Sequence, residues 1–309
     1  MQREAAETGT RAPLVLTPVE VVCFGGLNQD RQGRAPVAVV PGSSNPVTMR
    51  TSVGGVAANV ARGLAALGRQ ASLVARVGQE QGAVRAAVAG LTDPLLIVDP
   101  ERPTASYTTL IEPDGRLYVG LADMDVHDHW THADVDRAIE HASPAGLWFV
   151  DANLPDFALA RLCVMAGRER VLAANGVSAR KAVRLARCLH RVTVLFANAE
   201  EAEVLGIDPQ APRRGSDAIT VVTHGPAGLI VAIGDRVSAL PAPPLPGPAI
   251  DETGAGDCLI AGTLAGRLAG LDWPAALGLG LASAGTALCS EEAVPEAALK
   301  ALASALQSG

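Results

Sequence analysis

Short runs of Val, Ile and Leu recur along the chain, separated by stretches with helical spacing. Residues 21–24, 72–77, 147–150, 171–174, 192–196 and 219–223 each read as a strand apolar on both faces, as in a sheet covered on both sides. Between them, Val60, Leu64 and Leu67 fall at i, i+4 and i+7. A second helical run spans residues 182–189, and a long apolar helix follows Asp257. Strand, helix and strand in repetition predict an α/β fold: a mostly parallel central sheet with helices on both faces. Sheets of this kind bind ligands beyond the carboxyl ends of their strands.

Two segments break the rhythm. Residues 31–52 and 104–120 hold short extended runs, 37–40 and 106–111, among Pro and Gly turns. Pro113-Asp114-Gly115 lies between apolar runs and predicts a hairpin. So few strands are not stable alone, which predicts a small β lid projecting from the main domain, with a dimer contact as its second use. Pro241, Pro243, Pro244, Pro246 and Pro248 read as an ordered connector into the motif that follows. The expected organisation is a tail over residues 1–19 and one domain over 20–309.

Composition narrows the chemistry. In 309 residues, 49% are hydrophobic and 18% charged, which excludes global disorder. The net charge of −7 argues against a nucleic-acid partner. Lys occurs only at Lys181 and Lys300, so a phosphate-binding lysine has few places to be, and no GxxxxGK[ST] loop exists. The five cysteines form no CxxC pair, and the first twenty residues lack an apolar core between charges, so a cytoplasmic location is expected. The uncharged stretch 273–290 is broken by Pro274 and rich in Gly and Ser, which suits a buried helix rather than a membrane span.

Two glycine motifs carry candidate chemistry. Gly54-Gly55-Val56-Ala57-Ala58-Asn59 opens a helix, where missing side chains permit either close packing or close approach of a ligand. Asn59 falls in the first turn, placed to donate to and accept from hydroxyl groups. Downstream, Asp251-Glu252-Thr253-Gly254-Ala255-Gly256-Asp257 enters the long apolar helix. Successive amides at Gly254, Ala255 and Gly256 form a concavity suited to phosphate oxygens. Asp257 could serve as a cap there, but an acid beside bound phosphate is costly unless its task is to remove a proton. Asn28, Asn153, Asn175 and Asn198 follow predicted strands. With Asp30, they supply a rim suited to a ligand rich in hydroxyls and carbonyls, or else they cap turns. His127, His129 and His132 cluster in sequence without a committed metal-binding spacing.

Together, and in this order, the two glycine motifs resemble the signatures of the pfkB, or ribokinase-like, carbohydrate kinases. The first match runs from Gly54 to Gly78, the second fits except at Glu252, and the resemblance extends from Val21 to Leu306. A narrower resemblance is to the bacterial pseudouridine kinases of that family. It is carried by Gly25-Gly26-Leu27-Asn28-Gln29-Asp30, Gly42-Ser43-Ser44-Asn45-Pro46, Leu121-Ala122-Asp123-Met124-Asp125-Val126 and Val177-Ser178-Ala179-Arg180-Lys181. Asn175-Gly176 stands where Asp-Pro is expected, and Ala58 where Arg is usual.

The resemblance implies a ribokinase-like fold and ATP-dependent phosphorylation of the 5′-hydroxyl of pseudouridine. Asp257 would accept the hydroxyl proton, and the Gly254, Ala255 and Gly256 amides would stabilise the transferred phosphoryl. Asn28, Asp30, Gly54, Gly55, Asn59 and Lys181 would hold the nucleoside, with Ser43 and Asn45 covering it. Asn198, Thr223, Gly225 and Gly228 would contact ATP, and Glu201 would organise Mg²⁺. The backbone around Asp251 and Thr253 would face an activating K⁺. Independently of the resemblance, a homodimer through the lid is expected, because Val37, Val39, Leu117 and Val119 on its short extended runs need cover. Family members acting on ribose, a ketohexose or a purine nucleoside remain alternatives. So does, in another class, a sensor that binds a sugar or nucleoside without catalysis. The intact Asp257 beside a whole nest favours an enzyme.

Overall fold

In the first strand, Val21 and Cys23 belong to an apolar layer with Leu64, Leu259 and Leu299. Val22 and Phe24 belong to the opposite layer, with Val135, Leu159 and Leu162. A strand alternates its side chains with period two, so this one must be covered on both faces. The computed structural model describes residues 19–80, 82–167, 169–211, 213 and 218–308, so nearly all of the expected tail lies outside the described residues.

Thirteen strands follow the described chain: β1 (Val21–Phe24), β2 (Asn28–Arg34), β3 (Thr48–Gly54), β4 (Ala71–Val77), β5 (Leu95–Val98), β6 (Ser106–Ile111), β7 (Leu117–Asp123), β8 (Leu147–Asp151), β9 (Val171–Asn175), β10 (Val194–Asn198), β11 (Ile219–Thr223), β12 (Leu229–Ile233) and β13 (Arg236–Leu240). Nine form the central sheet, in the order β13-β12-β11-β10-β9-β8-β1-β4-β5. All its pairings are parallel except β11–β12 and β12–β13 at one edge. The other four make a small sheet of order β3-β2-β6-β7, the expected lid.

The helices are α1 (Val56–Ala66), α2 (Gly82–Ala87), α3 (His132–Ala142), α4 (Asp156–Ala166), α5 (Ala179–Ala182), α6 (Ala199–Val204), α7 (Ala255–Leu268), α8 (Trp273–Leu288) and α9 (Glu296–Ser308). Residues of α1, α7, α8 and α9 join one apolar layer, and residues of α3, α4 and α6 the other. No helix among the described residues is long and apolar enough to cross a membrane.

Three sequence expectations shift. Residues 37–40 are apolar and flanked by Pro36 and Pro41, but they form no strand; the lid strands on either side are β2 and β3. The run 182–189 is not a regular α-helix. It is the single turn α5 followed by 3₁₀ turns at Val183–Leu185 and Leu189–Arg191. Its buried residues Ala182, Leu185 and Cys188 recur every third position, the period of a 3₁₀-helix rather than an α-helix. The strand expected at 192–196 begins at Val194 and runs to Asn198.

Candidate active site

The carboxyl end of β1 turns sharply through Gly25, Gly26 and Leu27 into lid strand β2, so the core sheet and the lid meet at one corner. Asn28 opens β2 opposite Gly54, the last residue of β3. Gly55 then caps α1, whose apolar residues Val60, Ala61 and Leu64 bury its core face. The first turn of α1 therefore delivers Asn59 beside the N-terminus of α7. There the Asn59 side-chain amide donates to Asp257 Oδ2 at 2.8 Å. With its N–H₂ spent on Asp257, the amide oxygen of Asn59 is buried and has no protein partner. A buried acceptor left free is costly, and a ligand hydroxyl would satisfy it.

Asp257 is the third residue of α7, and Gly254 is that helix's N-cap. Gly254 is left-handed, with φ 80°, and a Cβ on it would strike the backbone carbonyl of Ala293. Gly256 has open space where a side chain would be. The nest is thus closed behind by the 293 backbone and open in front. The Thr253 amide donates to Asp251 Oδ1 at 2.8 Å, while Leu288 O accepts from the Ile250 and Asp251 amides.

The site is acidic. Burial raises Asp257 to about 7, opposed by the Asn59 hydrogen bond and reinforced by the charges of Asp151, Glu201 and Asp30. Burial likewise lifts Asp30 to about 6, against the hydrogen bond that Asn28 Nδ2 donates to it at 2.5 Å. Asp30 lies over Gly54, where any side chain would collide with its carboxylate. Glu201 is buried in a capping box: Asn198 Oδ1 accepts from the Glu201 amide at 2.8 Å, and Glu201 Oε2 accepts from the Asn198 amide at 3.2 Å. Burial raises its pKa as well.

Of the residues anticipated from sequence, Asn28, Asp30, Gly54, Gly55, Asn59, Gly254, Ala255, Gly256 and Asp257 share this corner. Asn198 and Thr223 face each other in register at the carboxyl ends of β10 and β11. Gly225 and Gly228 form the β11–β12 turn, and Gly228 packs against the backbone of Leu240 and Ala242. Lys181 donates to Asn153 Oδ1 at 2.6 Å, with its pKa lowered by burial. Ser43 and Asn45 lie on the loop between lid strands β2 and β3. The Asn45 side chain accepts from the Val40 amide and donates to the Val40 and Ser43 carbonyls, so it staples the lid loop to itself. The histidines diverge: His127 is buried, His129 lies beside Asp125 and His132 packs tilted against Phe157. Sequence reasoning missed Asp151. The available signal was a charged residue ending the otherwise apolar strand β8.

The profile of the pfkB family carbohydrate kinases matches residues 19–298. A pseudouridine kinase of Escherichia coli K12 is 29% identical over 259 residues, which cover 78% of this chain and 82% of that protein. A pseudouridine kinase of Arabidopsis thaliana is 24% identical, with 90% and 92% covered. Among solved structures, a carbohydrate kinase from Agrobacterium tumefaciens superposes with TM-score 0.78 at 29% identity, covering 94% of this chain and 97% of that one. Ribokinase from Cryptococcus neoformans in complex with ADP superposes with TM-score 0.75 at 20% identity, covering 92% and 99%, and shows the shared fold. With the match spanning the core sheet, the lid and the nest alike, the chain belongs to the pfkB family of carbohydrate kinases.

Proposed function

We propose that this kinase transfers the γ-phosphoryl group of ATP to the 5′-hydroxyl of pseudouridine. The observation that carries the reaction is the Asn59–Asp257 pair at the mouth of the glycine nest. With the free Asn59 oxygen accepting from a neighbouring hydroxyl of the acceptor, the attacking hydroxyl would lie next to a carboxylate able to take its proton, and the nest amides would face the phosphoryl group it attacks. Phosphoryl transfer asks for little beyond this positioning and charge stabilisation. Support for the nucleoside comes from the two similar pseudouridine kinases and from Asn28 and Asp30, which suit a ribose.

Asn198, Thr223 and the Gly225–Gly228 turn would take the nucleotide along the β10–β11 edge. Asp30, Asp151, Glu201 and Asp257 would repel a polyphosphate that carried no cation. The buried carboxyl of Glu201, which accepts from the Asn198 amide and has no cationic side-chain partner among the described residues, fits a Mg²⁺ ion, which would supply charge neutralisation when bound with ATP. The oxygen-rich turn at Asp251 and Thr253 would face K⁺.

A coupled ADP-release assay over pseudouridine, uridine, adenosine, ribose and fructose tests the substrate. Pseudouridine and uridine share the ribose and differ at the base linkage, where pseudouridine exposes an extra ring N–H. A site that hydrogen-bonds that group leaves its own acceptor unpaired with uridine, so a preference of at least about tenfold in kcat/KM is expected. Equal turnover of uridine or adenosine would remove pseudouridine and leave a kinase of another family substrate.

The lid is also proposed to pair with a second copy. Met49, Leu117 and Leu121 are all more than half exposed on it, an apolar surface that a partner would cover. Light scattering at micromolar protein is expected to give a dimer mass, and a monomer that persists with substrate would exclude the pairing.

A further inference from the structure

Asp151, the last residue of β8, is fully buried, yet among the described residues its hydrogen bonds go neither to Asp257 nor to the phosphate nest. A buried carboxylate is costly unless it is hydrogen-bonded, so its partners show what it is for. Oδ2 accepts from the Gly26 amide at 3.0 Å and from the Ala57 amide at 2.8 Å. Oδ1 accepts from the Asn153 amide at 2.8 Å, and the Asn153 side chain also donates to the carboxylate. Asn153 in turn accepts from Lys181 Nζ.

The two distant donors belong to different segments. Gly26 lies in the corner between core strand β1 and lid strand β2, two residues before Asn28. Ala57 lies in the first turn of α1, two residues before Asn59. Both segments carry groups that would grip the phosphoryl acceptor, and a single oxygen joins them. The Ala58 amide, donating to Gly26 O at 3.2 Å, closes the junction. Side chains at Gly25 and Gly26 would run into Asp151 and Asn153, so the corner is built around this carboxylate.

We infer that Asp151 is a positioning residue: it bolts the β1–β2 corner to the start of α1 and so fixes Asn28 and Asp30 relative to Asn59 and Asp257. Asn153 extends the bolt to Lys181. This role rests on the kinase reading but not on the identity of the acceptor.

The test is Asp151→Asn, which keeps the volume but turns one acceptor oxygen into an N–H₂. It is measured with whichever acceptor the wild-type enzyme phosphorylates, so failure with pseudouridine alone does not touch it. The acceptor KM is expected to rise and kcat to fall, lowering kcat/KM about 100-fold, as misplacement of about 1 Å does. The KM for ATP is expected to stay within about twofold, because the nucleotide edge is not bolted. An unchanged acceptor KM, or an activity loss that merely tracks the folded fraction, would overturn the role.

Asn153→Ala removes one donor to the carboxylate and its link to Lys181, which loosens the Gly26 and Ala57 bonds without deleting their acceptor, so a rise in acceptor KM of about three- to tenfold is expected. If Asp151→Asn does not fold, this variant decides, and an unchanged acceptor KM overturns the inference. If wild type phosphorylates no acceptor, amide exchange decides without a substrate. Faster exchange at Gly26 and Ala57 in either variant that folds supports the bolt, and equal protection removes it.

Discussion

Asp257→Asn is expected to lower kcat by about 10² to 10⁴, the usual contribution of a positioned general base, while the fold and ATP binding stay close to wild type. The neutral amide keeps the shape of the carboxyl and can still pair with Asn59, but it has no basic oxygen for the hydroxyl proton. The wild-type pH profile follows from the same residue. Burial and three neighbouring acids raise Asp257 to about 7, and only the ionised form can accept a proton. The kcat/KM of the free enzyme is therefore expected to climb as pH rises through about 7, then level off. In the variant that limb disappears. Retention of more than about half the wild-type kcat by Asp257→Asn would remove it from catalysis.

A second large effect separates two glycines that lie two residues apart. Gly254 holds φ 80°, and its absent Cβ would collide with the main chain at Ala293, which cannot swing aside like a side-chain tip. Gly254→Ala is expected to incur about 1–2 kcal/mol for the left-handed conformation alone, with the collision adding to it. The melting temperature should fall by several degrees, and the distorted nest should lose most of its phosphoryl transfer. At Gly256 a Cβ meets nothing within 4 Å. Gly256→Ala should leave the melting temperature unchanged or slightly raised, since Ala favours a helix by about 0.5–1 kcal/mol over Gly. Its kcat should nevertheless fall, because the methyl enters the open side of the nest. Equal thermal and kinetic responses from the two variants would contradict this division of labour.

What the chain's pattern made legible, and what it hid, both follow from burial. The central strands were readable because both faces are covered, which forces continuous apolar runs such as that of β4. The lid strands β2 and β3, Asn-Gln-Asp-Arg-Gln-Gly-Arg and Thr-Met-Arg-Thr-Ser-Val-Gly, carry no such signal, since most of their residues are not buried. The apolar run in this region is instead residues 37–40, which form a loop held by Asn45. The nest and Asn59 were legible because glycines and a helix start are local features. The contact between Asn59 and Asp257 spans 198 residues, and no local pattern could show it. Asp151 was hidden for the same reason, its partners being main-chain amides that any sequence possesses.

The lid's topology also bears on how the protein assembles over time. Parallel neighbours β2 and β6 meet with Gln29 opposite Ser106, after the chain has passed through β3, α1, β4, α2 and β5. Closing so long a loop carries an entropic cost before any lid contact can offset it, and non-local pairings of this kind are slow to form. β2 departs directly from β1, which lies in mid-sheet between β4 and β8, so the lid has no template until those strands are in place. Trp148, packed on Phe24 at 5.2 Å between ring centres, belongs to that earlier core. By this topology the core around Trp148 would form ahead of the rim bearing Asn28 and Asp30, and catalytic competence would be the last property the chain acquires.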